Sequence, residues 1–271
     1  MSFAPILPLA GYGGWAFLQR TKAVQQTAFV RSPQMNRLAE HAQANLAKVN
    51  SAEALVADRK LLEVALGAFG LGEEINNKFF IRKVLESPLD DPKSLANKLS
   101  DRRFAKLAVA FGFGTPGGTP PRDATFANRV VEAWRTRSFE VAVGERDDTM
   151  RLAMNADREL AEMAISGATN NTMWYSVMGN PPLRKVLEGA LGLPTSFGRL
   201  DLDRQMSEFK ARARNTFGSD NLAHFSDPKA REDLVRKFLL RTEALAAMTT
   251  ITPASGALQL LQSAARITHL R

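Results

Sequence analysis

The chain has 271 residues, of which 45% are hydrophobic and 24% are charged, and it contains no cysteine. This hydrophobic content can build the core of one large domain or two smaller ones, and the lack of cysteine excludes disulfides, cysteine nucleophiles and thiolate metal sites. The formal net charge of +8 would suit a nucleic-acid or acidic partner, although basic residues spread over helix faces give the same total.

The first 16 residues are apolar, but prolines and glycines interrupt them and no basic residue is present. This composition does not fit a Sec signal peptide. No window of the chain approaches the roughly 18 apolar residues that a membrane span requires. We therefore expect a flexible leader over 1–16 and no membrane span.

Helical periodicity starts near residue 17 and recurs in nearly every later segment. The stretch LLEVALGAFGLG, residues 61–72, has apolar residues at i, i+3, i+4 and i+7, which places them on one face of a helix. These residues are Leu62, Ala65, Leu66 and Phe69. Gly70 follows them, at a position where a residue with positive φ ends a helix.

A Gly/Pro-rich stretch, GFGTPGGTPP, predicts a linker over 112–122. The helical pattern then continues over 123–165, which predicts one long central helix of roughly 65 Å at 1.5 Å per residue. Gly144 is the residue at which this helix could bend or break. No segment shows sustained two-residue alternation, so the fold is predicted to be all-α.

The second half of the chain repeats the pattern of the first. LRKVLEGALGLP at 183–194 aligns with LLEVALGAFGLG without a gap, and Asp-Pro-Lys occurs at both 91–93 and 227–229. We interpret this as a duplicated three-helix unit in an elongated all-α protein, with the copies joined by the long central helix. The predicted units are a 1–16 leader, a 17–111 N-terminal lobe with the first copy at about 61–99, the 112–122 linker, the 123–165 helix and a 166–271 C-terminal lobe with the second copy at about 183–235.

Motifs that would indicate catalysis or a cofactor are weak. GFGTPG at 112–117 matches G-x-G-x-x-G, but a predicted helix precedes it where a dinucleotide site needs a strand. The histidines are His41, His224 and His269, which lack the spacing of a zinc site. We therefore expect no enzyme activity, no metal and no cofactor.

Two groups of residues are candidates for partner contacts. The aromatic and apolar residues Trp15, Phe17, Leu18 and Trp174 would mark an interface if they are exposed, and would be ordinary core if they are buried. The densest basic cluster consists of Lys210, Arg212 and Arg214.

Several long runs together resemble one known family. NKFFIRKVLES, GNPPLRKVLEGALGLP, LDLDRQ and PLAGYGGWAFLQRT are similar to the domain-of-unknown-function 1217 family of alphaproteobacteria, whose members often lie in flagellar gene neighbourhoods. The resemblance covers most of the chain and brings no catalytic residue with it. Together with the lack of cysteine, the apolar leader and the long central helix, it leads us to expect a non-enzymatic structural, assembly or export protein of the flagellar system. Such a protein would bind protein partners and be located in the cytoplasm or exported by that system. The alternative is a cytoplasmic adaptor or regulator whose basic helix faces bind nucleic acid or an acidic partner.

Overall fold

A computed structural model describes residues 3–115 and 124–250 of the chain. These residues form α-helices and short 3₁₀ helices and contain no strand, which confirms the all-α prediction. None of the described helices is both long and apolar enough to cross a membrane. Residues 116–122 of the predicted linker and 251–271 of the predicted C-terminal lobe lie outside the described residues.

The helices fall into two groups along the chain. The first group is α1 (Gly11–Val30), α2 (Pro33–Asn45), α3 (Ala52–Ala57), α4 (Arg59–Ala68), α5 (Lys78–Leu85), α6 (Leu95–Lys98), α7 (Arg102–Phe111) and α8 (Ala124–Gly144). The second group is α9 (Asp148–Ala164), α10 (Asn170–Met178), α11 (Pro181–Leu191), α12 (Leu202–Phe217) and α13 (Pro228–Thr250). Short 3₁₀ helices occupy Leu46–Lys48, Gly72–Asn76, Thr195–Arg199 and Leu222–Ser226.

Two hydrophobic cores define an N-terminal and a C-terminal lobe. The N-terminal core is built from α2 to α7 and from the first half of α8, up to Trp134. The C-terminal core is built from α1, from α9 to α13 and from the second half of α8, including Phe139 and Val143. Because α8 contributes buried side chains to both cores, it is the element that joins the lobes.

The central segment is two helices, so the long helix predicted over 123–165 is broken after Gly144, the residue at which the sequence allows a bend or a break. α8 ends at Gly144, and α9 begins at Asp148 after Asp147 caps it by accepting hydrogen bonds from the backbone N–H groups of Thr149 and Met150. α9 then runs back alongside α8, and a Cβ at Gly144 would lie 2.6 Å from Cδ of Arg151. Glycine permits this close approach of the two helices just before the turn.

The N-terminal segment also differs from the prediction of a flexible leader over 1–16. α1 begins within it, at Gly11, and residues 3–10 fold back along this helix. The backbone N–H of Ile6 donates to Oε1 of Gln25 at 2.7 Å, and Nε2 of Gln25 donates to the backbone oxygen of Ile6 at 3.2 Å. A buried glutamine therefore fixes the segment by satisfying both polar groups of one peptide residue.

The two predicted copies share their first helix and differ in their third. α4 and α11 are both followed by a glycine with positive φ, Gly70 at 71° and Gly192 at 65°. Asp227 is followed directly by α13, whereas Asp91 is followed by a turn, and the next helix, α6, starts only at Leu95. Duplication of a whole three-helix unit therefore stays a prediction.

Candidate binding cleft between the two lobes

An open cleft with a volume of about 730 Å³ lies where the two lobes meet. A volume in this range is typical of sites for small molecules or for short segments of a partner. α4, α7, α8 and the loop after α4 form one side, and α9 and the start of α11 form the other. The described lining includes Arg59, Glu63, Gly67, Gly70, Glu73, Ile75, Arg103, Trp134, Arg137, Ser138, Val141, Arg151, Asn155, Pro182 and Lys185.

One face of α8 supplies the centre of the cleft. Trp134, Arg137, Ser138 and Val141 are spaced at i, i+3, i+4 and i+7, so their side chains emerge on the same side of the helix. Val141 is 55% exposed although its neighbours along α8 reach both cores. The cleft therefore presents apolar surface next to a charged group.

Trp134 lies against a glycine of α4. A Cβ at Gly67 would be 2.6 Å from Cδ1 and 3.2 Å from Nε1 of the indole, so only glycine lets the ring pack here. The residue is 3% exposed, and within the described part of the chain its N–H donates to no acceptor. This edge of the indole lies beside Gly67, which lines the cleft together with Trp134.

Two guanidinium groups flank the loop after α4. Nη1 of Arg103 donates to the backbone oxygen of Gly70, and its other nitrogens bond the carboxylate of Asp101. A Cβ at Gly70 would lie 4.0 Å from Nε of Arg137. Nη2 of Arg137 donates to Glu159 at 2.9 Å, while its Nε and Nη1 have no acceptor among the described residues.

A buried ion-pair network lies behind this face of the cleft. Arg158 of α9 pairs with Glu140 of α8 at 2.8 Å and with Glu159 at 2.7 Å. Glu159 also forms ion pairs with Arg137 at 2.9 Å and with Lys106 of α7 at 3.6 Å. The network thus links helices of both lobes through two carboxylates that are 4% and 6% exposed.

The ion-pair network and its burial shift the pKa values of two of its members, Glu159 and Arg137. Burial by itself raises the pKa of Glu159, but the charges of Arg158, Lys106 and Arg137 outweigh it and lower the pKa to about 2. Burial lowers the pKa of Arg137, and the nearby charge of Arg158 lowers it further. Burial and the cation Arg158 therefore oppose the charge of Arg137, while the carboxylates of Glu159, Glu140 and Glu162 favour it.

The cleft lining also includes charged and polar groups that lack an ion-pair or hydrogen-bond partner within the described residues. Arg59 and Glu63 of α4 and Glu73 after it are exposed and make no ion pair within the described residues. Oδ1 of Asn155, on α9, is buried and has no hydrogen-bond donor in the described part of the chain. Among the described residues, no group of His, Asp and Glu is arranged to hold a metal ion.

The aromatic candidates for partner contact are core residues. Trp15, Leu18 and Trp174 are 3%, 0% and 0% exposed and lie in the C-terminal core, and Phe17 is half-buried. The indole N–H of Trp174 donates to the backbone oxygen of Asp220 at 2.9 Å. Of the two interpretations of these residues, the structure supports ordinary core for Trp15, Leu18 and Trp174, because the fold itself covers them.

The basic candidates lie together on the surface of α12. Each of the three already contacts an acceptor of its own chain: Lys210 contacts Asn171, Arg212 contacts Glu208, and Arg214 contacts Asp220. A phosphate or an acidic partner would have to displace these contacts.

Sequence reasoning missed the cleft residues Trp134 and Arg137. A signal was present, because their i, i+3 spacing with Ser138 and Val141 gives one face with both an indole and a guanidinium. The sequence allows a break at Gly144 but does not show that α9 folds back along α8, and without that arrangement no concave surface is expected at this point.

These features define a two-lobed all-α protein with an open polar and apolar cleft between its lobes. The chain belongs to a family described as Protein of unknown function (DUF1217), whose model matches residues 68–230, more than half of its length. That match includes Trp134, Arg137 and the ion-pair network.

A crystal structure from a structural genomics programme has the same fold. It is of a protein from Agrobacterium tumefaciens, and it matches with a TM-score of 0.68 at 22% identity, covering 89% of this chain and 98% of that chain. A search of curated proteins found no significant match.

Proposed function

We propose that this protein is a non-enzymatic structural or assembly component of the bacterial flagellar system, and that it holds part of a partner protein in the cleft between its lobes. The observation that supports a binding role is the cleft face of α8, where an unpartnered indole N–H, a partly paired guanidinium and the exposed Val141 lie within two helical turns. The flagellar setting is supported by the resemblance of the sequence motifs to a family found in flagellar gene neighbourhoods.

Deletion of the gene tests the flagellar setting. We expect the deletion strain to lose swimming motility and to have basal bodies of altered composition, and we expect a plasmid copy to restore both. Normal motility with normal basal bodies would contradict the proposal. Cell fractionation of the complemented strain separates an assembly factor, which stays in the cytoplasm, from a structural component that is exported.

Filling the cleft tests the binding role. Ser138→Trp places a large side chain on the cleft face of α8, whereas Ser176→Trp places the same side chain on α10, away from the cleft. We expect only the Ser138→Trp gene to fail in restoring motility, while both proteins fold and accumulate normally. If Ser138→Trp restores motility as well as the wild-type gene, the partner does not use this cleft.

A further inference from the structure

We propose that the cleft recognises a carboxylate joined to an apolar group, with Arg137 and the indole N–H of Trp134 as its hydrogen-bond donors. This inference rests on the proposed function, since it concerns the same cleft and states the chemistry of what enters it. The carboxylate belongs either to an acidic side chain or chain end of a protein segment or to a small organic acid.

The position of the unpartnered donors supports this chemistry. The Trp134 N–H and the Nε and Nη1 groups of Arg137 are one helical turn apart on α8 and share the cleft face. Hydrogen bonds from these donors to a charged acceptor are stronger than neutral ones. One carboxylate oxygen would accept from Nε or Nη1 of Arg137, and the other oxygen would accept from the indole N–H of Trp134. An acceptor bound here satisfies an indole N–H that the fold leaves unpaired.

The charges that line the cleft favour an anion over a neutral acceptor. Arg137 interacts with the carboxylates of Glu159, Glu140 and Glu162 as well as with the cation Arg158, and Glu159 is shared with Arg158 and Lys106. The cleft lining as a whole carries five cationic side chains, Arg59, Arg103, Arg137, Arg151 and Lys185, and three carboxylates, Glu63, Glu73 and Glu140. This excess of cationic groups favours a negatively charged ligand.

The surrounding surface accounts for the apolar part of the ligand. Val141 is 55% exposed on the same face of α8, one turn beyond Arg137, and Ile75 is half-buried in the segment after α4, on the same side of the cleft. A hydrocarbon or aromatic group attached to the carboxylate removes this apolar surface from water on binding.

A titration by nuclear magnetic resonance tests the inference with the intact chain. The probes are 4-phenylbutyrate with its neutral amide, 4-phenylbutyramide, and a blocked Gly-Glu-Phe-Gly peptide with its Gln counterpart. The chain has three tryptophans, so the Trp134 indole N–H signal is identified by its loss in Trp134→Phe. We expect saturable shifts of this signal with at least one acid, and roughly ten-fold weaker binding of the matching amide. The relative affinities of the two acids distinguish a small organic acid from a protein side chain as the source.

Two variants make the assignment specific. Arg137→Met keeps the length of the side chain and removes the charge, and Trp134→Phe keeps an aromatic ring in the core and removes the N–H. Each should weaken the acid by about ten-fold, as expected for a lost hydrogen bond to a charged group, with affinity read from backbone amide signals. Arg146→Met, in the exposed turn after α8, is the matched control and should leave the affinity unchanged.

The inference is overturned if neither acid binds, if acid and amide bind equally, or if Arg146→Met has the same effect as Arg137→Met. Loss of motility in Ser138→Trp without carboxylate binding would overturn this chemistry and leave the proposed function standing. Carboxylate binding together with normal motility in the deletion strain would support this chemistry and contradict the flagellar role.

Discussion

Two glycines shared by the repeated stretches serve the same purpose at equivalent places in the two lobes. A Cβ at Gly67 would lie 2.6 Å from the ring of Trp134, and one at Gly189 would lie 2.8 Å from the ring of Phe238. Sequence comparison identified both positions as shared but could not say why. The reason is that α4 and α11 each pack against an aromatic residue of a longer helix, α8 in one lobe and α13 in the other.

We expect Gly67→Ala and Gly189→Ala each to destabilise the fold by about 1–3 kcal/mol, because the added methyl overpacks a well-filled core. Urea unfolding followed by circular dichroism measures this free energy. Gly72→Ala is the control, since a Cβ at Gly72 has nothing within 4 Å. Equal stability of Gly67→Ala and Gly72→Ala would show that the ring contact is not tight.

Glu159 should make the stability of the protein depend on pH. Its pKa in the folded chain is about 2, below the ordinary 4.5, so its ionised form stabilises the fold above about pH 4.5, and this contribution is lost as pH falls towards 2. Glu159→Gln should therefore cost about 3 kcal/mol at pH 7 and progressively less between pH 4.5 and 2.

Unfolding in urea at a series of pH values measures the difference between Glu159→Gln and the wild type. Glu162→Gln is the matched control, because Glu162 is 62% exposed and lies 3.7 Å from the same Arg158. A difference for Glu159→Gln that stays constant from pH 7 to pH 2 would contradict the depressed pKa.

At the scale of elements, the α8–α9 turn is where sequence and structure differ. Both sides of the turn have helical periodicity, and a single glycine only weakens a helix, so periodicity alone predicts continuity. Tertiary packing decides this turn, because ion pairs and shared core residues stabilise α9 against α8 when it folds back. The cleft depends on this turn, since both helices line it.

We expect Asp147→Ala to destabilise the fold by about 1 kcal/mol, because it removes the side-chain cap of α9. Asp203→Ala, in the first turn of α12, is the control and should cost only a few tenths of a kcal/mol through the helix dipole. Thermal unfolding compares the two variants. A smaller loss for Asp147→Ala than for Asp203→Ala would mean that the cap contributes nothing.

At the scale of the whole molecule, the two lobes share their connecting elements. α8 contributes to both cores, and α1 places Trp15 and Leu18 in the C-terminal core although it precedes the N-terminal lobe in the chain. The helix contacts also correspond: α4 packs on α2, α3 and α8 as α11 packs on α9, α10 and α13. The duplication of a three-helix unit stays a prediction.

Because the lobes share α8, we expect them to unfold together in a single transition. Hydrogen exchange followed by mass spectrometry across a urea series measures this by comparing the midpoints for α4 and α11. The two segments should lose protection at the same urea concentration, as a cooperative unit does. Well-separated midpoints would show that each lobe is stable without the other.

The sequence by itself determined that the protein is all-α, that a helix ends just before Gly70, and which glycines recur. These properties follow from periodicity, caps and chain-breaking residues, which act within a few neighbouring positions. Only the tertiary structure decided that the central segment folds back and that Trp15 and Trp174 are buried. It alone brought Trp134, Arg137 and the residues after α4 together around a cleft, because these contacts join positions far apart in the chain and depend on which surfaces pack against each other.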